Sequence, residues 1–301
     1  MHLVIPFAAP LSDAGREALR GLRWPRLQAL LAGRHGERDE GDEYSLSPPH
    51  ERALARAWGW AGADGQLPFA AALAAADGVD TGDLAWGLLT PVHWRLGTDQ
   101  VSLFDPAALQ LDEATSRTFY DAVCGLYTSE GFVMHWAAPL RWYLAHESLR
   151  QLATASLDRV IGRNVDRWLP AGADARLLGR LQNEAQMTLY THPLNDEREA
   201  RRQPTVNSVW LSGCGVAQPC RGQAQVDDRL RHCALAEDWP RWAKSWAQID
   251  EELPALSMPL TRLTLCGERS ALSFALPARG LWSQISARFA RTDLAQALAT
   301  L

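Results

Sequence analysis

The sequence contains a single lysine, Lys244, among its 301 residues, so nearly all of its positive charge is carried by arginine. A phosphate or carboxylate bound by this chain would therefore be held mainly through bidentate guanidinium contacts. The net charge of −5 gives no general attraction for nucleic acid or for an anionic membrane surface. Neither is expected as a partner.

Cysteine is scarce, and its spacing fits no covalent framework. The five cysteines are odd in number and include no CxxC pair, which argues against a disulfide framework or a zinc site. The sequence also has no run of about 20 apolar residues, and its first residues lack the basic start and apolar core of a signal peptide. These absences favour a cytoplasmic protein without a membrane span.

Familiar catalytic motifs are missing as well. The sequence has no GxSxG, HExxH, P-loop or dinucleotide-binding fingerprint. The stretch "DGVDTGD", which carries Asp77, Asp80 and Asp83, resembles part of a calcium loop but lacks the glutamate that closes a 12-residue site. Calcium binding is therefore not predicted.

Strand-like and helix-like segments alternate along the chain. Residues 3–7 read as a buried strand, residues 83–104 as two strands joined by a hairpin at 97–99, and residues 173–190 as a helix. Near the end, "LTRLTLCG" and "SALSFAL" read as a pair of strands followed by a terminal helix. Segments interpreted as loops are 33–49 and 216–228. This alternation predicts an α/β fold.

The most unusual stretch is "LYTHPLNDEREARRQPTVNSVWLSGCG", residues 189–215. His192 suits either an anion or metal contact or a turn. Arg198, Arg201 and Arg202 suit either a phosphate clamp or a solvated helix face. The glycines that end the stretch would let a ligand approach the backbone, or would simply mark a strand exit. The residues alone leave two interpretations: an anion site, or an ordinary helix–loop–strand connection.

A resemblance to a known family adds to this interpretation. The chain is similar to the "HPVN…R…N..WL.G.G" signature of archaeal-type cofactor-independent phosphoglycerate mutases at His192-Pro193-Leu194-Asn195, Arg198, Asn207, Trp210-Leu211 and Gly213-Cys214-Gly215. Shorter stretches such as "WPRLQALLAG" and "GDLAW" also resemble that family. As a whole, the chain most resembles the RpfE-type regulatory proteins of bacteria.

The resemblance implies a fold and a domain division. It implies an α/β protein whose core is a degenerate, alkaline-phosphatase-like, mainly parallel sheet, interrupted by an inserted α+β lobe. The core would comprise residues 1–78 and 205–301, and the inserted domain residues 79–204. Residues 3–7, 208–212 and 262–266 would then be neighbouring strands of one sheet.

Departures from the family decide the expected mechanism. The family has a metal-binding aspartate after its first strand, where this chain reads Ile5-Pro6-Phe7-Ala8. An ungapped match puts His50 at the family's nucleophilic serine, and Ser47 would serve only in a shifted register. The late metal motif of the family is replaced by "LTLCGERSALSFAL", with the single acid Glu268. Two divalent ions need about six or more oxygen or nitrogen ligands.

These departures favour a non-catalytic regulatory protein with no catalytic residue, no metal and no cofactor. The expected partner is a small phosphorylated or carboxylated metabolite, and a protein partner is a further candidate. Ligand contacts are assigned to Arg141, His192, Asn195, Arg198 and Asn207, with His192 and Arg198 facing Arg141 across a cleft between the two domains. Two alternatives remain: an active metal-dependent mutase with migrated ligands, and an interaction module whose tryptophan-rich face binds a protein.

Overall fold

The first apolar run of the sequence forms β1 (His2–Ala9), in which Val4 and Ile5 are fully buried. In the computed structural model, which describes residues 1–172, 175–253, 259–276 and 294–301, this strand belongs to the first of two units. The first unit comprises Met1–Trp60 and Pro219–Leu301, and the second comprises Ala61–Gln218.

The first unit is built on a five-stranded sheet with the strand order β2 (Gly36–Asp39), β11 (Ala271–Ala275), β10 (Arg262–Gly267), β1 and β9 (Ala224–Val226). Its described elements are β1, α1 (Asp13–Gly21), α2 (Pro25–Leu31), β2 (Gly36–Asp39), α3 (Pro49–Trp58), β9 (Ala224–Val226), α9 (Arg231–Leu235), α10 (Trp239–Glu252), β10 (Arg262–Gly267), β11 (Ala271–Ala275) and α12 (Leu294–Leu298).

This sheet is mixed rather than mainly parallel. Strand β1 runs parallel to β10 on one side and to β9 on the other. Strand β11 returns antiparallel to β10, and β2 pairs antiparallel with β11. The α/β class is thus confirmed, whereas the expectation of a mainly parallel sheet holds only for the half that contains β9, β1 and β10. The tight turn between β10 and β11 explains the difference, because a short connection reverses the chain.

Tryptophans fill the core of the first unit. Trp24, Trp242 and Trp246 are all almost completely buried, and the ring of Trp24 meets that of Trp246 edge-on at 5.8 Å. Trp24 is also the N-cap residue of α2 but provides no side-chain cap. The carboxylate of Asp250 in α10 caps the helix instead, because it accepts a hydrogen bond from the backbone N–H of Leu27 at 2.7 Å.

The second unit is built on a four-stranded sheet with the order β6 (Val133–Ala138), β7 (Arg141–Ala145), β3 (Ala85–Val92) and β8 (Ser208–Val216), and it also contains a separate hairpin. Its described helices and strands are α4 (Phe69–Ala76), β3 (Ala85–Val92), β4 (Trp94–Leu96), β5 (Val101–Leu103), α5 (Glu113–Thr128), β6 (Val133–Ala138), β7 (Arg141–Ala145), α6 (Leu157–Val160), α7 (Ala175–Tyr190), α8 (Pro193–Ala200) and β8 (Ser208–Val216). Short 3₁₀ helices span Pro106–Leu109, Glu147–Leu149 and Val165–Trp168.

The position of β8 corrects an expectation drawn from the resemblance. Residues 208–212 do not lie beside β1 and β10, because β8 pairs antiparallel with β3, with Leu211 opposite Leu89. The physical reason is the apolar face of β8. Val209 and Leu211 pack into the core of the second unit with Leu89 and with residues of α7. The expectation of one sheet holding residues 3–7, 208–212 and 262–266 is therefore wrong for 208–212.

The unit boundaries also differ from the predicted domain division. The chain passes from the first unit to the second at Trp60/Ala61 and back at Gln218/Pro219, rather than near residues 78 and 205. Helix α4 contributes Ala70, Ala71 and Ala74 to a cluster with Trp86 and Tyr143, which places it in the second unit. None of the helices in the described residues is long and apolar enough to cross a bilayer.

Candidate functional site

Arg141, the first residue of β7, is held in a bidentate ion pair. Its Nε and Nη2 atoms donate to the two carboxylate oxygens of Asp77, at 2.9 and 3.0 Å. The Tyr143 hydroxyl donates to the same carboxylate at 2.7 Å. The hydrogen bonds from Arg141 and Tyr143 hold the pKa of Asp77 below its usual value. The charge of Arg141 is therefore already matched by a protein carboxylate.

His192 and Asn195 serve the start of α8. His192 is the N-cap residue, and its Nδ1 atom accepts from the backbone N–H of Leu194 at 3.2 Å. Asn195 is buried, and its Nδ2 atom donates to the carbonyl oxygens of Leu189 at 2.7 Å and Val206 at 2.8 Å. Its Oδ1 atom accepts from the N–H of Val206 at 2.9 Å. Both side chains thus satisfy nearby backbone groups.

Arg198 lies on the buried face of α8 and also binds backbone. Its Nε atom donates to the carbonyl of Pro204 at 2.8 Å, and its Nη2 atom to the carbonyl of Leu109 at 2.6 Å. Burial lowers the pKa of this guanidinium. Arg201, on the same helix, is instead exposed and pairs with Glu197. Of these two arginines, only Arg201 lies on a solvated helix face.

Asn207 completes the set by binding both backbone groups of one residue. Its Oδ1 atom accepts from the N–H of Trp94 at 2.7 Å, and its Nδ2 atom donates to the carbonyl of Trp94 at 2.8 Å. The connection between α8 and β8 is therefore fixed by hydrogen bonds from the side chains of Asn195, Arg198 and Asn207 to backbone groups. This geometry favours the helix–loop–strand interpretation of the stretch, and an anion site there stays a prediction.

The expected cleft geometry is not what the structure shows for these residues. Residues 189–215 lie inside the second unit, so they do not form the passage between the two units. Asn195 and Arg198 bind backbone groups of Val206 and Pro204. His192 caps α8, Asn207 binds Trp94, and Arg141 binds Asp77 at the end of α4. Each of the five predicted ligand residues thus forms hydrogen bonds with different residues of this chain.

The two glycines that end the stretch serve close packing. Gly213 and Gly215 both have positive φ angles, 64° and 148°. A Cβ atom at Gly213 would lie 3.0 Å from the backbone nitrogen of Ala70, and one at Gly215 would lie 3.0 Å from Cβ of Pro68. The backbone that packs closely against these glycines is therefore the start of α4.

The end of β1, where the resemblance places the first metal ligand, is closed by aromatic rings. Phe7 has a φ angle of 55°, in the left-handed region that side chains rarely adopt. The indole Nε1 of Trp242 donates to the carbonyl of Phe7 at 2.9 Å, and that of Trp246 to the carbonyl of Ala8 at 3.3 Å. At the position where the resemblance implies a metal ligand, two backbone carbonyls are therefore hydrogen-bonded to indole N–H groups of the apolar core.

The position matched to the nucleophile lies next to this cluster. His50 is the second residue of α3, is 9% exposed, and its ring centroid lies 5.5 Å from that of Phe7. Ser47 is buried. Glu268, the acid of the late motif, accepts from the backbone N–H of Leu11 at 2.9 Å. Among the described residues, no three His, Cys, Asp or Glu side chains are grouped so that they could hold a metal ion.

A polar pocket in the first unit was not foreseen from the sequence. It measures about 560 Å³ and is lined by His2, Arg56, Arg262, Thr264 and Ser273, among others. A signal was present, because Arg262 and Thr264 alternate with leucines in "RLTLC". Such alternation is typical of a strand with one polar face. The sequence did not show which residues from other strands would join that face.

Comparisons with known proteins find distant similarity to solved structures. The chain is similar to the cofactor-independent phosphoglycerate mutase from Thermoplasma acidophilum DSM 1728, at 16% identity over 99% of each chain, with a TM-score of 0.37. It is also similar to the PH0037 protein from Pyrococcus horikoshii, at 13% identity over 91% of this chain and 87% of that one, with a TM-score of 0.45. No protein-family model and no curated protein matches the sequence.

Proposed function

We propose that this chain is a non-catalytic regulatory protein that recognises a small phosphorylated or carboxylated metabolite without converting it. In this proposal its first unit is a degenerate core of the alkaline-phosphatase-like type, and the chain is of the RpfE type. The observation that carries the proposal is the end of β1, where Phe7 and Ala8 present carbonyl oxygens to two indole N–H groups.

The chemistry of this position argues against metal-dependent phosphoryl transfer. A pair of divalent ions needs several anionic oxygen or imidazole ligands close together. Such ions catalyse phosphoryl transfer by activating a nucleophile and neutralising phosphoryl charge. Here the ring of Phe7 contacts that of His50, and Ala8 belongs to an apolar cluster with Trp242 and Trp246. An ion bound here would break the hydrogen bonds from the two indoles to the carbonyls of Phe7 and Ala8, and it would bury a charge in that apolar cluster.

The sheet supports the proposed core only in part. Strands β9, β1 and β10 are parallel, as the resemblance implies, whereas β8 belongs to the other sheet. The proposal includes a cytoplasmic location. All five cysteines are free thiols, and three of them, Cys214, Cys233 and Cys266, are buried. A reducing compartment suits such a set.

The test combines metal analysis, activity and binding. The protein would be produced in medium supplemented with Mn²⁺ and its metal content measured by mass spectrometry. Interconversion of 3-phosphoglycerate and 2-phosphoglycerate would then be followed with and without added Mn²⁺, beside a thermal-shift screen of phosphorylated and carboxylated metabolites. We expect less than stoichiometric metal, no turnover, and a shift with at least one anion. Two tightly bound ions or measurable turnover would overturn the non-catalytic proposal.

A further inference from the structure

The unforeseen pocket lies at the opposite end of the sheet from the closed site at Phe7. His2 and Arg262 are the first residues of β1 and β10, and both line the pocket. Arg56 and two alanines of α3 form its other wall. The pocket therefore sits between α3 and the sheet, near the amino ends of the parallel strands. It is independent of the position that the resemblance assigns to catalysis.

Strand register gathers polar side chains on one face of the sheet. Thr264 lies opposite Ser273, and Ser273 lies opposite Glu37. His2 lies opposite Arg262 in the neighbouring pair. Residues directly opposite each other on paired strands point to the same face, so these side chains form one continuous polar surface. Four strands that are far apart in the sequence contribute to it.

Hydrogen bonds fix these side chains before any ligand arrives. The Nε2 atom of His2 lies 2.8 Å from the Thr264 hydroxyl, which lies 3.0 Å from the Ser273 hydroxyl. The Nη1 atom of Arg262 donates to the Ser273 hydroxyl at 3.0 Å and to Glu37 at 3.1 Å. A network of this kind limits the rotamers that must be ordered on binding, which favours affinity.

Positive charge prevails around the pocket. Among the described residues that line it, the arginines are Arg38, Arg56 and Arg262 and the acids are Glu37 and Asp39. Arg56 pairs with Asp39, and Arg262 pairs with Glu37. Burial opposes ionisation of Asp39, but Arg56 and Arg52 outweigh it and lower the pKa of that carboxyl. The acids are thus engaged by arginines, and one cationic charge remains in excess.

Two arginines retain unused donors. Within the described part of the chain, Arg56 and Arg262 each donate to other side chains only through Nη1. Each guanidinium has five N–H donors arranged as a planar fork, which matches the oxygens of a phosphate or carboxylate. The remaining N–H groups of the two side chains are available to an anion in the pocket.

We propose that this pocket binds a small hydroxylated anion, with Arg56 and Arg262 gripping its phosphate or carboxylate and the His2–Thr264–Ser273 network contacting its hydroxyls. This assignment rests on the proposed function, for which it names the site. The pocket volume of about 560 Å³ lies within the range of roughly 300–1,000 Å³ usual for small-molecule sites. Burial and the nearby charge of Arg262 lower the pKa of His2 to about 4, so its ring is neutral near pH 7 and suits a hydroxyl partner.

Calorimetric titration of single variants tests the assignment. The probes are 3-phosphoglycerate, glycerate and inorganic phosphate, which separate phosphate from carboxylate recognition. The variants are Arg56→Gln and Arg262→Gln, with Arg20→Gln as the matched control. Arg20 is an exposed arginine of the same unit, paired with Glu17 on α1 and absent from the pocket lining. Arg56 is itself 56% exposed at its side chain, so its replacement leaves the fold intact.

We expect at least one probe to bind the wild type, and both pocket variants to weaken that binding by about tenfold or more, since each removes charge-assisted hydrogen bonds. The Arg20→Gln protein should bind as the wild type does. Wild-type binding that survives in both pocket variants would overturn the pocket assignment while leaving the proposed function standing. An equal loss in Arg20→Gln would also overturn the assignment, because it would indicate unspecific attraction. No binding of any of the three probes to the wild type would overturn the pocket assignment, whereas the proposed function is overturned only if the wider metabolite screen also gives no shift.

Discussion

The indole Nε1 of Trp242 donates a hydrogen bond to the carbonyl oxygen of Phe7 at 2.9 Å, and so ties α10 to the end of β1. Phe7 holds a positive φ angle at this point, a conformation that needs support from its surroundings. The contact therefore has two roles. It satisfies a partly buried carbonyl, and it stabilises an unfavourable backbone conformation at the position where the resemblance implies a metal ligand.

Removing this donor should cost stability without affecting the pocket. We expect Trp242→Phe to lower the free energy of unfolding by about 2–4 kcal/mol, through an unsatisfied carbonyl and lost buried volume. Trp239→Phe is the matched control, because Trp239 lies on the same helix, is only half-buried and belongs to the partly buried shell of the core. Urea unfolding of both variants checks the difference. Equal losses would show that the hydrogen bond to Phe7 contributes little.

Arg198 offers a direct test of the two interpretations of residues 189–215. Its guanidinium donates to the carbonyls of Pro204 and Leu109 and is buried, so Arg198→Ala should destabilise the ligand-free protein by about 2–4 kcal/mol. Arg201→Ala, at an exposed position on the same helix, should change stability by less than about 0.5 kcal/mol. Melting curves of both variants provide the measurement. An Arg198→Ala protein as stable as the wild type would favour the anion-site interpretation instead.

The parts of the fold that were predicted from sequence are those with strong local patterns. The apolar run of β1, the β10–β11 pair, the hairpin of β4 and β5, and the helix now seen as α7 were all anticipated and are confirmed. In each, the period of apolar residues or a turn with glycine indicates the element without reference to the rest of the chain.

The missed elements depend on long-range pairing. Gly36–Asp39 and Ala224–Val226 were interpreted as loops, yet they form β2 and β9 at the two edges of the first sheet. Both are short and polar, so their strand conformation comes from hydrogen bonds to β11 and β1. The pocket was missed for the same reason, since His2 and Thr264 meet only through the pairing of β1 with β10.

The sequence of residues 189–215 shows which polar side chains are present but not which groups they bind. His192, Asn195, Arg198 and Asn207 were recognised as an unusual group of polar side chains. Their partners are backbone groups, some of them nearby in the chain, as for Asn195 with Val206, and others far away, as for Arg198 with Leu109 and Asn207 with Trp94, which are 89 and 113 positions apart. Backbone groups carry no sequence signal, so a buried structural arginine and a ligand-binding arginine look alike in the sequence.

The N-terminus of α2 yields a third prediction. Its N-cap residue, Trp24, offers no side-chain cap, and Asp250 accepts from the N–H groups of Arg26 at 3.2 Å and Leu27 at 2.7 Å. We expect Asp250→Ala to lower the free energy of unfolding by about 1–3 kcal/mol, and Asp250→Asn to lose less because it retains one acceptor. Glu251→Ala, at the exposed neighbouring position, is the control. Chemical denaturation of the three variants decides whether the ranking holds.

The last prediction concerns the dependence of stability on pH. Burial, together with the positive charge of Arg262, lowers the pKa of His2 from 6.5 to about 4. Below pH 6.5 the unfolded chain takes up a proton at this histidine, whereas the folded chain does so only near pH 4. The unfolded state therefore binds more protons in that window, and the free energy of unfolding falls as the pH falls through it.

A His2→Gln variant removes this titration while its amide still reaches the hydroxyl of Thr264. We expect the wild type to lose more stability than His2→Gln between pH 7.5 and pH 4.5, measured by urea unfolding at both values. His35→Gln serves as the control, because His35 is exposed and should leave the pH profile of the wild type unchanged. Contributions from the carboxylates are common to all three proteins and cancel in the comparison. Parallel profiles for the wild type and His2→Gln would show that the fold does not keep His2 neutral. They would also contradict the proposed role of the neutral His2 ring as a partner for a ligand hydroxyl in the pocket.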